Sequence, residues 1–484
     1  MTEADTTVRV ALPRGELRVP LAERLERAGL DVPGYREGAR TYQFRVAARG
    51  DASALVRVFS DRDIPIQVAL GQYDLGIASR AVVDELLARH PRESLVLIRP
   101  LDVGETRLVL AGPPGTDLAA LASERTLRVT SEYPALTERW LNRARVPAYR
   151  VLDVWGQPQA WLPEDADLAV LPEADARAEG LEALAVVHEG PAWLIGNRTA
   201  LARRRLGAIL ELLVRLPAGP AGDGFVAPAP LDVRPGPRPL AQREGDALRL
   251  AVPDGHAQRH TVAALADAGV AFEGYSETEA VRRPRSVTPG LEGVQVKVMR
   301  PQDMPRAVAL GQFDLALTGR DWLFAHQASF PASPVVELGD LRRSRYDLGA
   351  VVHDDVPAAT IEEAVAYWRR DEPGKAIRVA SEYVPLADRY ARDRHLGRYR
   401  VIPINGASEG FVPEDAEILI EGSETGTTLR ANRLRMLDVI MVSTNCIIGH
   451  RDAPSGARGA LRDDLVRRLV EAAPPLEAPS EARP

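Results

Sequence analysis

Cysteine is nearly missing: Cys446 is the single one in 484 residues. That excludes an intrachain disulfide and a cysteine-based metal cluster, and it fits a reducing compartment. Lysine is almost as rare, present only at Lys297 and Lys375. Arginine therefore carries nearly all the positive charge, a bias that reflects base composition rather than arginine-specific chemistry. No stretch approaches the ~18 uninterrupted apolar residues of a membrane-spanning helix. The opening residues, Met1 to Thr7, are polar and acidic and lack both the basic start and the apolar core of a signal segment. A soluble, cytoplasmic chain is expected. There is also no basic run with interleaved aromatics, and at a net charge of -7 the chain lacks the positive field that a nucleic-acid backbone requires. Nucleic acid and membrane are thus excluded as partners, whereas a nucleotide needs only a local anion site.

What is present is a globular composition, 45% hydrophobic and 27% charged, on a chain long enough for about three or four compact units. It is written twice. Val10-Ala11-Leu12-Pro13-Arg14-Gly15 recurs as Leu250-Ala251-Val252-Pro253-Asp254-Gly255, and Leu70-Gly71-Gln72-Tyr73-Asp74-Leu75 recurs as Leu310-Gly311-Gln312-Phe313-Asp314-Leu315, both offset by 240. Ser131-Glu132-Tyr133 matches Ser381-Glu382-Tyr383, and Pro163-Glu164-Asp165-Ala166 matches Pro413-Glu414-Asp415-Ala416, offset by 250. Such self-similarity fixes architecture more firmly than local propensity does. The chain divides into a first copy, 1–216, a Pro/Gly/Ala-rich linker, 217–246, a second copy, 247–471, and a flexible tail, 472–484.

Within each copy short apolar runs alternate with helical patterns: strands over Val8 to Leu12, Leu55 to Phe59 and Leu75 to Ala78, helices over Leu17 to Ala28 and Ile64 to Leu70. This rhythm predicts an α/β fold with largely parallel sheets. Near Gly104 and Leu341 it passes to a second series, with strands at Leu127 to Thr130 and Ile377 to Ala380, so each copy is expected to form two lobes.

The segment with the most chemistry runs from Ala416 to Asn432. An apolar strand, Ile418 to Ile420, leads into Glu421 and Glu424, then Thr425-Gly426-Thr427-Thr428, then a helix-compatible run from Leu429. A glycine permits close backbone approach, and threonine hydroxyls with the free amides of a helix start make an anion pocket suited to a 5′-phosphate. The two carboxylates just before it lie where they can accept from ribose hydroxyls or help hold magnesium. His256, His260, His326 and His395 are scattered without a His-Glu-x-x-His spacing and read as structural or surface residues.

This stretch resembles the phosphoribosyl-diphosphate loop of ATP phosphoribosyltransferases, in which hydrophobic-hydrophobic-Asp is followed by Ser/Thr-Gly-x-Thr-Leu and an Ala-Asn pair. Glu421 stands at the usual Asp. Arg300-Pro301-Gln302-Asp303-Met304-Pro305 and Asp314 to Asp321 resemble two further family segments, and Ala11-Leu12-Pro13-Arg14-Gly15 resembles the family's opening Ala-Leu-Pro-Lys-Gly. The resemblance covers nearly all of both copies. It implies two tandem, two-lobed units of the periplasmic-binding-protein-like type II α/β fold. It also implies a pentosyltransferase that joins phosphoribosyl diphosphate to the adenine ring of ATP and releases pyrophosphate, the first step of histidine biosynthesis, with Mg2+ as cofactor. Carried over residue by residue, it assigns Glu421 and Glu424 to catalysis and magnesium. Thr425, Gly426, Thr427, Thr428, Arg300 and Arg320 go to the donor and Asp321 to ATP or pyrophosphate, while Arg14 and Arg40 are candidates for ATP or pyrophosphate that copy 1 would donate to a composite site. The C-terminal regulatory domain of longer members looks absent, and short members use a separate regulatory subunit.

The two copies depart from the pattern in different places. Copy 1 has Val170-Leu171-Pro172-Glu173-Ala174-Asp175 where copy 2 has Ile420 to Thr425, with no phosphate loop after it. Copy 2 has Asp254 where the family has Lys and copy 1 has Arg14, and a carboxylate beside pyrophosphate is repulsive. The complementary losses suggest an internal pseudo-dimer with one composite site, open to further self-association or a regulatory subunit. In a second reading copy 2 acts alone and copy 1 is a scaffold or regulator, and in a reading of another class the chain is an inactive two-lobed protein that binds a phosphorylated metabolite. If the composite reading holds, Arg14→Ala and Arg40→Ala each raise a substrate Michaelis constant or lower turnover in steady-state kinetics. Unchanged values for both would remove it.

Overall fold

The computed structural model describes residues 7–30, 32–36, 43–47, 53–91, 94–203, 206–222, 224–240, 246–406 and 408–475. The chain divides into two compact units. Unit 1 comprises Met1–Ala241 with Ile404–Gly410, and unit 2 comprises Gln242–Pro403 with Phe411–Pro484. No helix among the described residues is long and apolar enough to cross a membrane.

In unit 1 the strands are β1 (Val8–Pro13), β2 (Gln43–Ala47), β3 (Ser53–Phe59), β4 (Leu75–Ser79), β5 (Leu95–Pro100), β6 (Thr106–Gly112), β7 (Leu127–Ser131), β8 (Tyr149–Asp153), β9 (Leu168–Pro172), β10 (Glu182–Gly190) and β11 (Ala192–Asn197). They form two sheets, ordered β2-β3-β1-β4-β11-β5 and β10-β6-β9-β7-β8. The chain enters the second sheet at β6 and returns to the first at β11. The central strands β1, β3 and β4 are parallel, and β1 is buried along nearly its whole length. A strand covered on both faces must be almost continuously apolar, which is why Val8 to Pro13 does not alternate.

Unit 2 repeats the plan with β12 (Leu248–Pro253), β13 (Phe272–Tyr275), β14 (Ala280–Ser286), β15 (Val294–Met299), β16 (Leu315–Gly319), β17 (Val335–Asp340), β18 (Tyr346–His353), β19 (Ile377–Ser381), β20 (Tyr399–Pro403), β21 (Ile418–Ser423), β22 (Leu434–Ser443) and β23 (Asn445–His450). Its sheets are ordered β13-β14-β15-β12-β16-β23-β17 and β20-β19-β21-β18-β22. The duplication is visible in the register. Val10 pairs with Leu75 as Leu250 pairs with Leu315, and Leu127 pairs with Tyr149 as Ile377 pairs with Tyr399. The fold is the two-lobed α/β plan that the sequence led us to expect, twice over. The change of offset falls between β18 and β19, where the helix Ile361–Arg369 and the turn after it are longer than the helix Leu118–Glu124 of unit 1.

Each first sheet has its own core, around Val10, Leu12, Val56 and Ile77 in unit 1 and around Leu250, Val252, Val296 and Leu317 in unit 2. A tyrosine closes each in the same way: Tyr35 donates to the carbonyl of Pro13 and Tyr275 to that of Pro253, both at 2.6 Å. Residues 217–222 and 224–240 form neither helix nor strand but run along the second sheet of unit 1. Val226 N–H donates to Val187 O, Leu231 N–H to Ala144 O, and Arg139 lies 4.2 Å from the ring centre of Phe225.

A buried ion pair roots the strand that carries the chemistry. Glu417, immediately before β21, has a side chain only 4% exposed. It accepts from Arg378 Nε (3.0 Å), Nη2 (2.8 Å) and backbone N–H (2.8 Å), and Lys375 Nζ lies 3.0 Å away. Burial pushes its carboxyl up, but the hydrogen bonds and charge of Arg378, with Lys375, outweigh this and hold it below the usual glutamate range. The pair thus fixes β21 to β19. Glu417→Ala should cost about 2–3 kcal/mol in urea denaturation, below the range for fully enclosed pairs because Arg378 and Lys375 reach solvent. A depressed folded pKa means that the contribution is present above the ordinary glutamate pKa and disappears as pH falls through the folded value. The stability difference between wild type and variant should therefore shrink in acid.

Candidate functional site

β21 ends differently from its counterpart. In unit 1, β9 stops at Pro172 and the chain passes directly into the helix Glu173–Ala178. In unit 2, β21 continues to Ser423 and then turns through Gly426, at φ +68°, into the short helix Thr427–Ala431. The positive φ is one that side-chain-bearing residues adopt only under strain, and a Cβ there would lie 2.7 Å from Arg430 Nη1.

The turn is held by its own polar groups. Gly426 N–H donates to Ser423 Oγ (3.0 Å), the hydroxyls of Thr425 and Thr427 are 2.9 Å apart, and Arg430 Nη2 donates to Thr425 O (2.9 Å). Leu429 is buried beneath, whereas Thr425, Thr427 and Thr428 are exposed. As at any helix start, the first amides have no intrahelical acceptor. Thr427 N–H donates to Thr425 Oγ1 at 3.4 Å, and the three threonine hydroxyls, the amides that follow and Arg430 gather donors at one solvent-facing turn, which is the chemistry of an oxyanion cradle.

Of the carboxylates, Glu421 lies within β21, half-buried, and its Oε1 accepts from Gly422 N–H at 3.0 Å. Glu424 is exposed, and its Oε2 is 4.0 Å from Arg259 Nη2. The structure also brings Arg300 and Asp254 together, at the ends of the adjacent parallel strands β15 and β12. Arg300 Nη1 donates to Asp254 Oδ1 at 3.3 Å, so the carboxylate at the family's lysine position faces a cation. Arg320 is engaged elsewhere, with Glu337 (2.9 Å) and Asp340 (3.6 Å). Arg14 donates to the Asn405 carbonyl within unit 1 at 2.9 Å, and Arg40 lies outside the described residues.

Asp321 is fully enclosed, at 0% exposure. Its Oδ2 accepts from Tyr383 OH (2.5 Å) and its Oδ1 from Ser443 Oγ (2.9 Å). Tyr346 is also hydrogen-bonded in this group, and burial first, then the Asp321 charge, pushes both tyrosines well above the ordinary phenol pKa. Tyr346 opens β18 and Ser443 closes β22, the two places where the chain crosses between the lobes of unit 2. In this arrangement Asp321 ties the crossings together rather than facing solvent.

Two histidines set aside in the sequence come together here. His256 and His260 lie one turn apart on the helix His256–Asp267, and with Glu424 they offer ligand atoms all within 4.8 Å of one another. The signal was their four-residue separation, which puts both rings on one helix face. Nothing in the sequence indicated that Glu424 would join them.

The described residues thus form a duplicated, two-lobed α/β chain in which a donor-rich turn follows β21 of unit 2 and a plain helix follows β9 of unit 1. The family model for HisG, ATP phosphoribosyltransferase, matches residues 60–217 and again 300–471, and the chain belongs to that family. Relatives include the ATP phosphoribosyltransferase of Chlorobium chlorochromatii, 32% identical over 213 residues, covering 43% of this chain and 66% of that one. The enzyme of Saccharolobus solfataricus is 34% identical over 208 residues, covering 42% of this chain and 65% of that one. The chain thus spans slightly less than two thirds of these relatives' own length. Among solved structures, the ATP phosphoribosyl transferase (HisG:HisZ) complex from Thermotoga maritima aligns at 20% identity and a TM-score of 0.37, over 47% of this chain and 98% of that one.

Removing the tyrosine hydroxyl tests the enclosed network. Tyr383→Phe leaves a buried carboxylate short of one donor and should lower stability by about 1–3 kcal/mol in urea denaturation, with Ser443→Ala acting in the same direction. An unchanged midpoint in both would show that Asp321 is not held as described.

Proposed function

We propose that this chain transfers the phosphoribosyl group of phosphoribosyl diphosphate to the adenine ring of ATP, releasing pyrophosphate. The observation that carries the reading is the turn Ser423 to Leu429, which gathers hydroxyls and helix-start amides at the end of β21 directly after Glu421. In this reading the hydroxyls of Thr425, Thr427 and Thr428, with Gly426 permitting close approach, hold the 5′-phosphate. Glu421 and Glu424 accept from the ribose hydroxyls and so orient the ring.

Glycosyl transfer of this kind needs no covalent nucleophile. Positive charge develops at the anomeric carbon as pyrophosphate leaves, so the protein must fix the sugar in line with adenine and neutralise the departing anion. Arg300 is the candidate for the second task, its charge shared with Asp254. Arg320 and Arg14 are further phosphate-binding candidates once released from their present partners, and Arg40 a candidate from the sequence alone. Asp321 acts by holding the lobe crossings. The two glutamates are oxygen donors of the hard kind that magnesium takes, and a bound ion would offset pyrophosphate charge. A cytoplasmic setting and a regulatory subunit or self-association belong to the same reading.

One observation favours a second reading, a two-lobed protein that binds a phosphorylated metabolite without turnover. Asp254 occupies the family's lysine position and takes part of the charge of Arg300. A single assay separates the two. With magnesium, phosphoribosyl diphosphate and ATP, the enzyme should form phosphoribosyl-ATP and pyrophosphate. Thr428→Ala should raise the donor Michaelis constant about tenfold, the cost of one hydrogen bond to a charged group, and Thr428→Ala with Gly426→Val by orders of magnitude. Donor binding by calorimetry with no pyrophosphate released would select the second reading, and unchanged donor kinetics in the double variant would remove the turn from the site.

A further inference from the structure

We propose that His256, His260 and Glu424 form a binding site for one divalent transition metal of the zinc class, which shares Glu424 with the magnesium of the reading above. Arg259 shows where the donor atoms converge. Its Nε donates to His260 Nε2 at 3.0 Å and its Nη2 lies 3.3 Å from His256 Nε2, while the same Nη2 is 4.0 Å from Glu424 Oε2. A guanidinium has donors only. Both imidazoles therefore turn an unprotonated Nε2 lone pair, and the glutamate a carboxylate oxygen, toward one point already occupied by positive charge.

The geometry is that of a chelate. A separation of four residues on the helix His256–Asp267 stacks the rings on one face, with centroids 5.7 Å apart. The ligand atoms all lie within 4.8 Å of one another. Tetrahedral zinc with bonds of about 2.0–2.2 Å needs them roughly 3.4 Å apart, a closure that side-chain rotation supplies, since His256 and Glu424 are exposed and His260 is half-buried. Two imidazole nitrogens and one carboxylate oxygen, with a position left for water, are the borderline donor set that zinc prefers and magnesium does not. The competing cation is removable: the Arg259 side chain is 55% exposed, free to swing into solvent.

Occupancy would couple two parts of unit 2. The histidines belong to the helix after β12 in the first sheet, and Glu424 to the turn after β21 in the second. A metal bridging them pins that turn and takes Glu424 from other work. Resting on the donor-site reading above, the expected consequence is that zinc competes with phosphoribosyl diphosphate.

Zinc binding itself is measured without substrate, so it stands or falls apart from transferase activity. Isothermal titration of the full chain with zinc chloride, in buffer free of phosphate and chelators, should show one ion per chain. His256→Ala and Glu424→Gln should each weaken it about tenfold or more, and His256→Ala with His260→Ala should abolish it, with circular dichroism unchanged because the residues are near the surface. Arg259→Ala should tighten binding by removing the competing cation, an effect that an unrelated surface site would not show. Zinc binding unaltered in the double histidine variant, or unaltered or weakened in Arg259→Ala, would overturn the proposal. So would a wild-type cluster that takes inorganic pyrophosphate through Arg259 and no zinc.

Discussion

The architecture of the second unit depends on one enclosed carboxylate. Asp321 begins a helix of the first sheet and holds Tyr383 and Ser443 of the second, so the two lobes meet at a charge that neither can abandon without leaving it unpaired in the interior. Unit 1 solves the same problem with different residues. Ala81 stands at the position equivalent to Asp321, and the helix of the first sheet instead reaches the second through buried Asp84, 2.9 Å from His188 Nε2 on β10, while half-buried Asp61 accepts from both the backbone and the hydroxyl of Ser79. Burial raises the Asp61 carboxyl despite those bonds. Beside it Arg62 pairs with Glu132 and lies 5.6 Å from the centre of the Tyr133 ring. The duplicated backbone has kept its crossings while the charges that secure them have moved.

From the crossings outward, the turn is positioned by successive, separable devices. Glu417 fixes the start of β21 to β19 through Arg378 and Lys375. β21 then carries the chain to Ser423, and Gly426 reverses it. The first device is buried and strong, and the last is local and exposed. A strand anchored at one end can present a polar tip without that tip contributing to the core. The cluster of His256, His260, Arg259 and Glu424 gives the tip its contact with the other lobe of the unit.

How far these features were legible follows from their physics. Strands such as Val8–Pro13 and Leu75–Ser79, and the helix after Gly15, were readable because both faces are buried and the apolar run has no alternative use. The repeat was readable because its offset is fixed by shared geometry, and the turn at Gly426 because glycine and threonines serve a backbone conformation written locally. Side-chain partnerships between distant strands were not. Asp254 looked repulsive in isolation, and only the parallel pairing of β12 with β15 puts Arg300 beside it. Asp321 looked like a ligand residue, and its enclosure depends on Tyr383 and Ser443, far along the chain. His256 and His260 looked scattered because their third partner lies on another sheet.

The exposed tip has an evolutionary consequence. Because Thr425, Thr427 and Thr428 support nothing beneath them except through Leu429, substitutions there are nearly free of folding penalty, and a duplicate relieved of selection loses its ligand chemistry first and its scaffold last. Unit 1, whose equivalent strand runs into a plain helix at Pro172, keeps the frame without the tip.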